Sequence, residues 1–215
     1  IMGINASIEL FGEGVPQVAV FDNAFHSTMP AEAYTFPVPY KYYQKYQVRK
    51  YGFHGTSHRF VSARCAEVMG KNIEDLKIVT CHLGNGSSIT AVKGGKVIDT
   101  TMGLTPLDGL IMGTRCGAVD PSAILFIMEK ENLSVKEMDT ILNKKSGILG
   151  ISGLSSDDRD VKAAAAEGNE KCALARNILA YQIKRYIGAY TAAMDGIDAI
   201  VFTGGIGENA DDIRA

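Results

Sequence analysis

Lys77–Thr101, KIVTCHLGNGSSITAVKGGKVIDTT, alternates short β-branched and apolar runs with glycine turns. Lys77–His82 reads as a buried strand, Ser88–Val92 as a second and Val97–Thr101 as a third. Gly94-Gly95 closes a hairpin between the last two, and Gly84-Asn85-Gly86 lies where the first strand ends.

Helix signals surround this core. Downstream, Asp120 before Pro121 is an N-cap followed by a residue suited to the first helical position, opening a helix to about Glu131. Ser134 with Glu137 forms a capping box, and Ser155 with Asp158 predicts another. From Lys171 to Met194, Leu174, Ala175, Ile178, Leu179, Ile183, Tyr186, Ile187, Tyr190 and Met194 share one helical face, leaving Lys171, Arg176, Lys184 and Arg185 off it. Asp198–Thr203 is then a strand running into the glycine loop Gly204-Gly205-Ile206-Gly207-Glu208-Asn209.

Upstream, His58–Met69 carries Phe60, Val61, Cys65, Val68 and Met69 at helical spacing, closed by Gly70. His26–Tyr51, with Pro30, Pro37 and Pro39, reads as an irregular connection. Gln17–Phe21 reads as a strand that delivers Asp22 at its end. Strands mixed with long helices make the chain α/β, a mixed sheet flanked by helices.

The 215 residues carry 22 Lys plus Arg against 24 Asp plus Glu, a formal charge of −2. That balance excludes the basic excess needed to hold nucleic acid or an anionic membrane. Hydrophobic residues are 46% and charged residues 21%, enough for a substantial core. Cys65, Cys81, Cys116 and Cys172 form no C-x-x-C pair, the usage of free thiols in a reducing cytoplasm. No apolar stretch approaches the ~18 residues of a membrane span. The ends, Ile1-Met2-Gly3-Ile4 and Asp211-Asp212-Ile213-Arg214-Ala215, suggest a piece of a longer chain.

Two strands ending in glycine loops predict a phosphate or nucleotide site, since backbone N–H groups at glycine approach phosphate oxygens unobstructed. Gly205-x-Gly207-x-x-Ala210 matches a dinucleotide fingerprint but lacks its context, for only five residues follow Ala210. No Walker A sequence is present. Asp22, His54, His58 and Arg115 stand out as titratable or charged groups in glycine-rich surroundings. An Asp at a strand end can hold Mg²⁺ or assist proton transfer, and an Arg within Gly113-Thr114-Arg115-Cys116-Gly117 can clamp a transferring phosphoryl group. His54 and His58 stand at i, i+4, yet Gly55 occupies the position where a zinc protease needs Glu. Asp157-Asp158-Arg159-Asp160 reads either as helix capping or, through Arg159, as a nucleotide contact.

Five motifs occur here in the order seen in acetate kinases: Val20–His26 (VFDNAFH), Tyr51–His58 (YGFHGTSH), His82–Ser88 (HLGNGSS), Met112–Gly117 (MGTRCG) and Phe202–Asn209 (FTGGIGEN). The sequence resembles the middle and most of the second domain of that family. The resemblance implies the fold of the acetate and sugar kinase, Hsp70 and actin (ribonuclease H-like) superfamily. Residues 1–24 would end the first domain and residues 25–215 form most of the second, truncated. It further implies reversible transfer of the ATP γ-phosphoryl group to acetate, giving acetyl phosphate and ADP, with Mg²⁺ or Mn²⁺, in a cytoplasmic homodimer.

Carried over by position, Asp22, His54 and Arg115 would be catalytic. His82, Leu83, Gly84, Asn85 and Gly86, then Asp157, Asp158 and Arg159, then Gly205, Ile206, Gly207, Glu208 and Asn209 would contact nucleotide. Phe53 and Pro106 would line the pocket for the acetate methyl. One extra methylene is worth only about 1–3 kcal/mol in such a pocket, so propionate or butyrate stays open as acceptor. A nucleotide-binding module without catalysis is the alternative from another class. The family's first phosphate loop, its Mg²⁺-contacting Asn, its carboxylate-gripping Arg and a C-terminal Glu all fall outside these residues. The resemblance therefore implies little or no kinase activity for the 215-residue piece alone.

Overall fold

The computed structural model describes residues 1–214 and leaves Ala215 outside. Lys77–Leu83 (β1), Ser87–Lys93 (β2), Lys96–Thr100 (β3) and Ala199–Thr203 (β4) form a sheet in the order β3-β2-β1-β4. β1 pairs antiparallel with β2 and parallel with β4, so the sheet is mixed as expected. In register, His82 faces Ser88 on one side and Thr203 on the other. Gly94 and Gly95, both at positive φ, make the tight turn between β2 and β3.

The helices, in chain order, are Met2–Phe11 (α1), Ala31–Tyr34 (α2), Lys41–Tyr46 (α3), Gly55–Met69 (α4), Pro121–Glu131 (α5), Val135–Thr140 (α6), Gly147–Ser152 (α7), Asp158–Ala166 (α8), Glu170–Ala193 (α9), Gly204–Asn209 (α10) and Asp211–Arg214 (α11). A 3₁₀ turn covers Ala24–Thr28. Strand alternation splits the core into two layers. Val79, Cys81 and Leu83 join Ala175, Leu179 and Ile183 of α9, whereas Ile78 packs with Val92, Val97 and Ala66 of α4.

Local signals hold where they are self-contained. Asp120 accepts from Ser122 N with Pro121 behind it, and Ser134 with Glu137 makes the full capping box. Four expectations need correction. Gln17–Phe21 forms no strand: with no ladder partner its residues stay exposed, Val20 at 76%, and β-propensity without a packing surface has nothing to stabilise. The segment 26–51 is less irregular than its prolines suggest, since α2 fits between Pro30 and Pro37 and α3 follows Pro39. The cap of α8 is Asp157, accepting from Arg159 N, while Ser155 Oγ reaches Asp160 instead. The glycine run after β4 turns directly into α10 instead of looping.

The buried face of α4 is also rotated from expectation, whereas the expected α9 face holds apart from two residues. Phe60 and Val68 of α4 are exposed, and the buried residues are Gly55, His58, Ser62 and Ala66. On α9, Leu174 is exposed and Arg176 is buried, paired to Asp158 Oδ1 at 2.7 Å and Asp212 Oδ2 at 2.6 Å. Apolar spacing missed both because the facing groups are polar and satisfy one another.

The β4–α10 junction depends on Gly204, which has φ +80°. A Cβ there would lie 2.6 Å from the Leu83 carbonyl oxygen, so the backbone would have to move. We expect Gly204→Ala to cost about 2 kcal/mol, read as a lower urea midpoint. An unchanged midpoint would contradict the close approach of α10 to β1.

Candidate active site

β1 and β4 run parallel, and both release glycines at their C-terminal ends, the edge where open α/β sheets bind ligands. Around these ends lie two adjoining regions that share the Gly84–Gly86 loop.

The first region is built on histidine. All four histidines of the chain gather at β1, with ring centroids 5.8 Å apart for His26 and His58, 6.3 Å for His54 and His58, and 4.1 Å for the stacked pair His54 and His82. His54 immediately precedes α4 and is left-handed at φ 58°, a conformation a bulky residue keeps only when its surroundings hold it. Asp22 supplies that hold: its Oδ2 accepts from His54 N at 2.9 Å and its carbonyl accepts from Gly55 N at 2.7 Å. A Cβ on Gly55 would collide with that Asp22 carbonyl, so the residue after His54 has to be glycine.

Arg115 approaches from the opposite side. Its Nη1 donates to the Pro106 carbonyl at 3.0 Å, which fixes the guanidinium direction. A Cβ on Gly86 would stand 3.4 Å from both Arg115 Nη1 and His54 Nε2. The two groups thus converge on the bare backbone of Gly86, a cation and an imidazole over one glycine.

Burial, His82 and Arg115 together push the His54 pKa down to about 4, against the opposing charge of Asp22. Burial likewise holds His26 at about 4, His58 well below the ordinary 6.5, and His82 below it. As pH falls through 6.5 the unfolded chain takes up protons that the folded chain refuses. Stability is therefore complete above about 6.5 and declines progressively toward about 4. Urea midpoints at pH 7.5 and pH 5 check this: the lower pH should give the lower midpoint, and equal midpoints would contradict neutral buried imidazoles.

The second region is a cavity of about 540 Å³ bounded by the β1–β2 loop, the start of α8 and α10. Gly84, Asn85, Asp157, Asp158, Arg159, Gly205, Ile206 and Asn209 line it. Gly113 backs Asn85 so closely that any Cβ would overlap Asn85 Oδ1, and Gly113 N donates to the Asn85 carbonyl. Arg159 grips Asp157 in a bidentate pair, Nε to Oδ1 at 3.0 Å and Nη2 to Oδ2 at 2.6 Å, and this holds the Asp157 pKa down to about 2. Arg176 anchors the cavity from beneath by tying Asp158 of α8 to Asp212 of α11.

The whole chain, residues 1–215, matches the family model described as the acetokinase family. The chain belongs to the acetokinase family. An acetate kinase of Desulforamulus reducens is 62% identical over 215 residues, covering 100% of this chain and 54% of that protein. Acetate kinase of Porphyromonas gingivalis superposes with a TM-score of 0.95 at 50% identity, covering 98% of this chain and 53% of that one. A propionate kinase of Francisella tularensis gives 0.94 at 47% identity, covering 99% and 54%. The chain thus spans about half the length of the curated relatives it matches, and its fold is that of the acetate and sugar kinase/Hsp70/actin superfamily.

Within this acetokinase chain, Asp22, His54 and Arg115 lie at one place with Gly86, although Asp22 contacts the others only through backbone and carboxylate bonds to residues 54 and 55. Eight of the thirteen nucleotide candidates share the cavity. Of the remainder, His82 belongs to the histidine cluster, the Leu83 side chain is fully buried in the α9 layer, Gly86 faces His54, Gly207 is buried against Phe202 and Leu83, and Glu208 is exposed. Pro106 touches the site through its carbonyl, and Phe53, half-buried, directly precedes His54. Sequence reasoning missed Ser156, Lys162 and Ala210 in the cavity wall, and Ser88 and Thr80 beside the histidines. Ala210 and Ser88 did fall within sequence motifs, the glycine fingerprint and the His82–Ser88 loop, while Lys162 left a trace as a second cation one turn after Arg159.

Proposed function

We propose that this chain is the nucleotide-binding part of an acetate kinase, transferring the γ-phosphoryl group of ATP to acetate and back. The observation that carries this reading is the Gly84-Asn85-Gly86 loop. Its first two residues line the cavity and its third is flanked by His54 and Arg115, so a phosphate chain following the loop leads from nucleotide to the Arg115 cation and the His54 imidazole.

Acetate is already ionised at neutral pH, so its oxygen attacks phosphorus without a general base. The bond to the β–γ bridging oxygen breaks as the new P–O bond forms, and ADP leaves with the electron pair. What the protein must supply is position and stabilisation of charge on the equatorial oxygens. Arg115 supplies a fixed cation and His54 a donor at Nε2, while Asp22 keeps His54 in its left-handed conformation.

Mg²⁺ suits this chain as the nucleotide's companion. Among the described residues no three His, Cys, Asp or Glu side chains gather to hold an ion, and Mg²⁺ usually keeps waters and binds substrate phosphates with one or two carboxylates. Its chemistry there is neutralisation of developing phosphate charge. No helix of the described residues is long and apolar enough to cross a membrane. The reading extends to the domain assignment, with residues 1–24 closing a first domain and 25–215 within a second, and to a cytoplasmic homodimer.

Propionate is the second acceptor to consider, because a propionate kinase superposes almost as well as the acetate kinase. Ranking kcat/KM for acetate, propionate and butyrate in a chain extended to the length of its relatives tests the reading. Acetate should lead, and a clear preference for propionate would rename the substrate.

A further inference from the structure

Ser88 Oγ lies between two imidazoles, 2.8 Å from His54 Nδ1 and 2.7 Å from His58 Nε2. On the far side of His58, Nδ1 is 2.8 Å from Thr80 Oγ1. Ser88, His58 and Thr80 are fully buried, so their polar atoms must satisfy one another. A neutral imidazole has one N–H and one bare nitrogen, and a hydroxyl has one proton to donate. The row of four groups therefore admits only two complete patterns, each the reverse of the other.

The Thr80 hydroxyl decides between them. If it accepted from His58, its own proton would have to reach the Thr90 carbonyl at 3.4 Å, beyond the range of a sound O–H···O bond. Its good acceptor is His58 Nδ1 at 2.8 Å. Thr80 then donates to His58 Nδ1, His58 Nε2–H donates to Ser88, and Ser88 donates to His54 Nδ1. That leaves the single proton of His54 on Nε2, the atom facing Gly86 across from Arg115.

We propose that Thr80, His58 and Ser88 are positioning residues that fix His54 as its neutral Nε2–H tautomer, so that it donates a hydrogen bond to the phosphoryl group undergoing transfer. This rests on the kinase reading above. A neutral ring that donates avoids forming an imidazolium beside Arg115 and His82, and neutral imidazole donors serve other active sites in this way. The arrangement also explains why the buried face of α4 carries a histidine where apolar spacing predicts a hydrophobe: His58 connects the strand hydroxyls to His54.

The test uses a chain extended to the length of its relatives, with ¹⁵N-labelled histidine. At pH 7.5, His54 and His58 should each show a protonated Nε2 and a bare Nδ1. Ser88→Ala should redistribute the His54 tautomers and lower kcat about 10- to 100-fold, the size of loss seen when a group orienting a metal-bound histidine is removed, with KM for ATP and acetate nearly unchanged. Thr80→Val, which keeps shape, should act in the same direction through His58, and Thr80→Ser should restore the original values. A protonated Nδ1 on His54 in the unaltered chain overturns the proposal, as does wild-type kcat in both folded variants. An unaltered chain with the Nε2–H signature that makes no acyl phosphate overturns the kinase reading instead.

Discussion

Arg115→Ala in a chain extended to the length of its relatives should lower kcat about 10³-fold while nucleotide affinity is mostly kept. The guanidinium is held by the Pro106 carbonyl and aimed across Gly86, outside the cavity formed by Gly84, Asn85 and the starts of α8 and α10. On the proposed kinase reading its charge acts on the transferring group and hardly on the base or ribose, and an arginine so placed in phosphoryl transfer is worth about 10³–10⁵. Steady-state kinetics beside calorimetric ADP binding separate the two effects. A non-catalytic nucleotide module would show neither turnover nor any dependence on Arg115. Loss of ADP binding together with turnover would place Arg115 in the nucleotide site and contradict the division of the site into two regions.

Arg176→Ala should be the most destabilising substitution considered, by about 3–5 kcal/mol, the cost of breaking a buried ion pair by removing one partner. Arg176 is 5% exposed and pairs with Asp158, which opens α8 and lines the cavity, and with Asp212 in α11. Truncation leaves Asp158, whose side chain is 11% exposed, without its countercharge and unties α8 from α11. Urea denaturation should show a much lower midpoint, with weaker ADP binding in whatever fraction folds. A loss below about 1 kcal/mol would mean that solvent reaches Asp158 and screens it, as at surface pairs.

What could be read from sequence was local. Asp120-Pro121 and the Ser134–Glu137 box set helix starts through bonds within four residues, and the β1–β2–β3 order follows from turn chemistry at Gly94-Gly95. The two glycine loops could be placed at the C-terminal ends of β1 and β4 because their backbone demands are also local. The pairing of Ser88 with His58 spans 30 residues and that of Arg176 with Asp212 spans 36, and neither leaves a mark on hydrophobic periodicity. Both bury a polar group where apolar spacing gives no signal, which is why the buried face of α4 is rotated from its predicted one and why Arg176 interrupts an α9 face that otherwise holds. Gln17–Phe21 failed for the opposite reason: its strand-like composition is real, but a strand exists only where another strand pairs with it.

The most direct test of the central claim is acyl phosphate formation from ATP and acetate, run beside ATP formation from ADP and acetyl phosphate. Both reactions would be measured on the 215-residue chain and on one extended at both ends to the length of its relatives. The account predicts reversible turnover by the extended chain and little or none by the shorter one, because His54, Gly86 and Arg115 supply only part of the required contacts. Failure of the extended chain in both directions, with nucleotide still bound, would contradict phosphoryl transfer to a carboxylate.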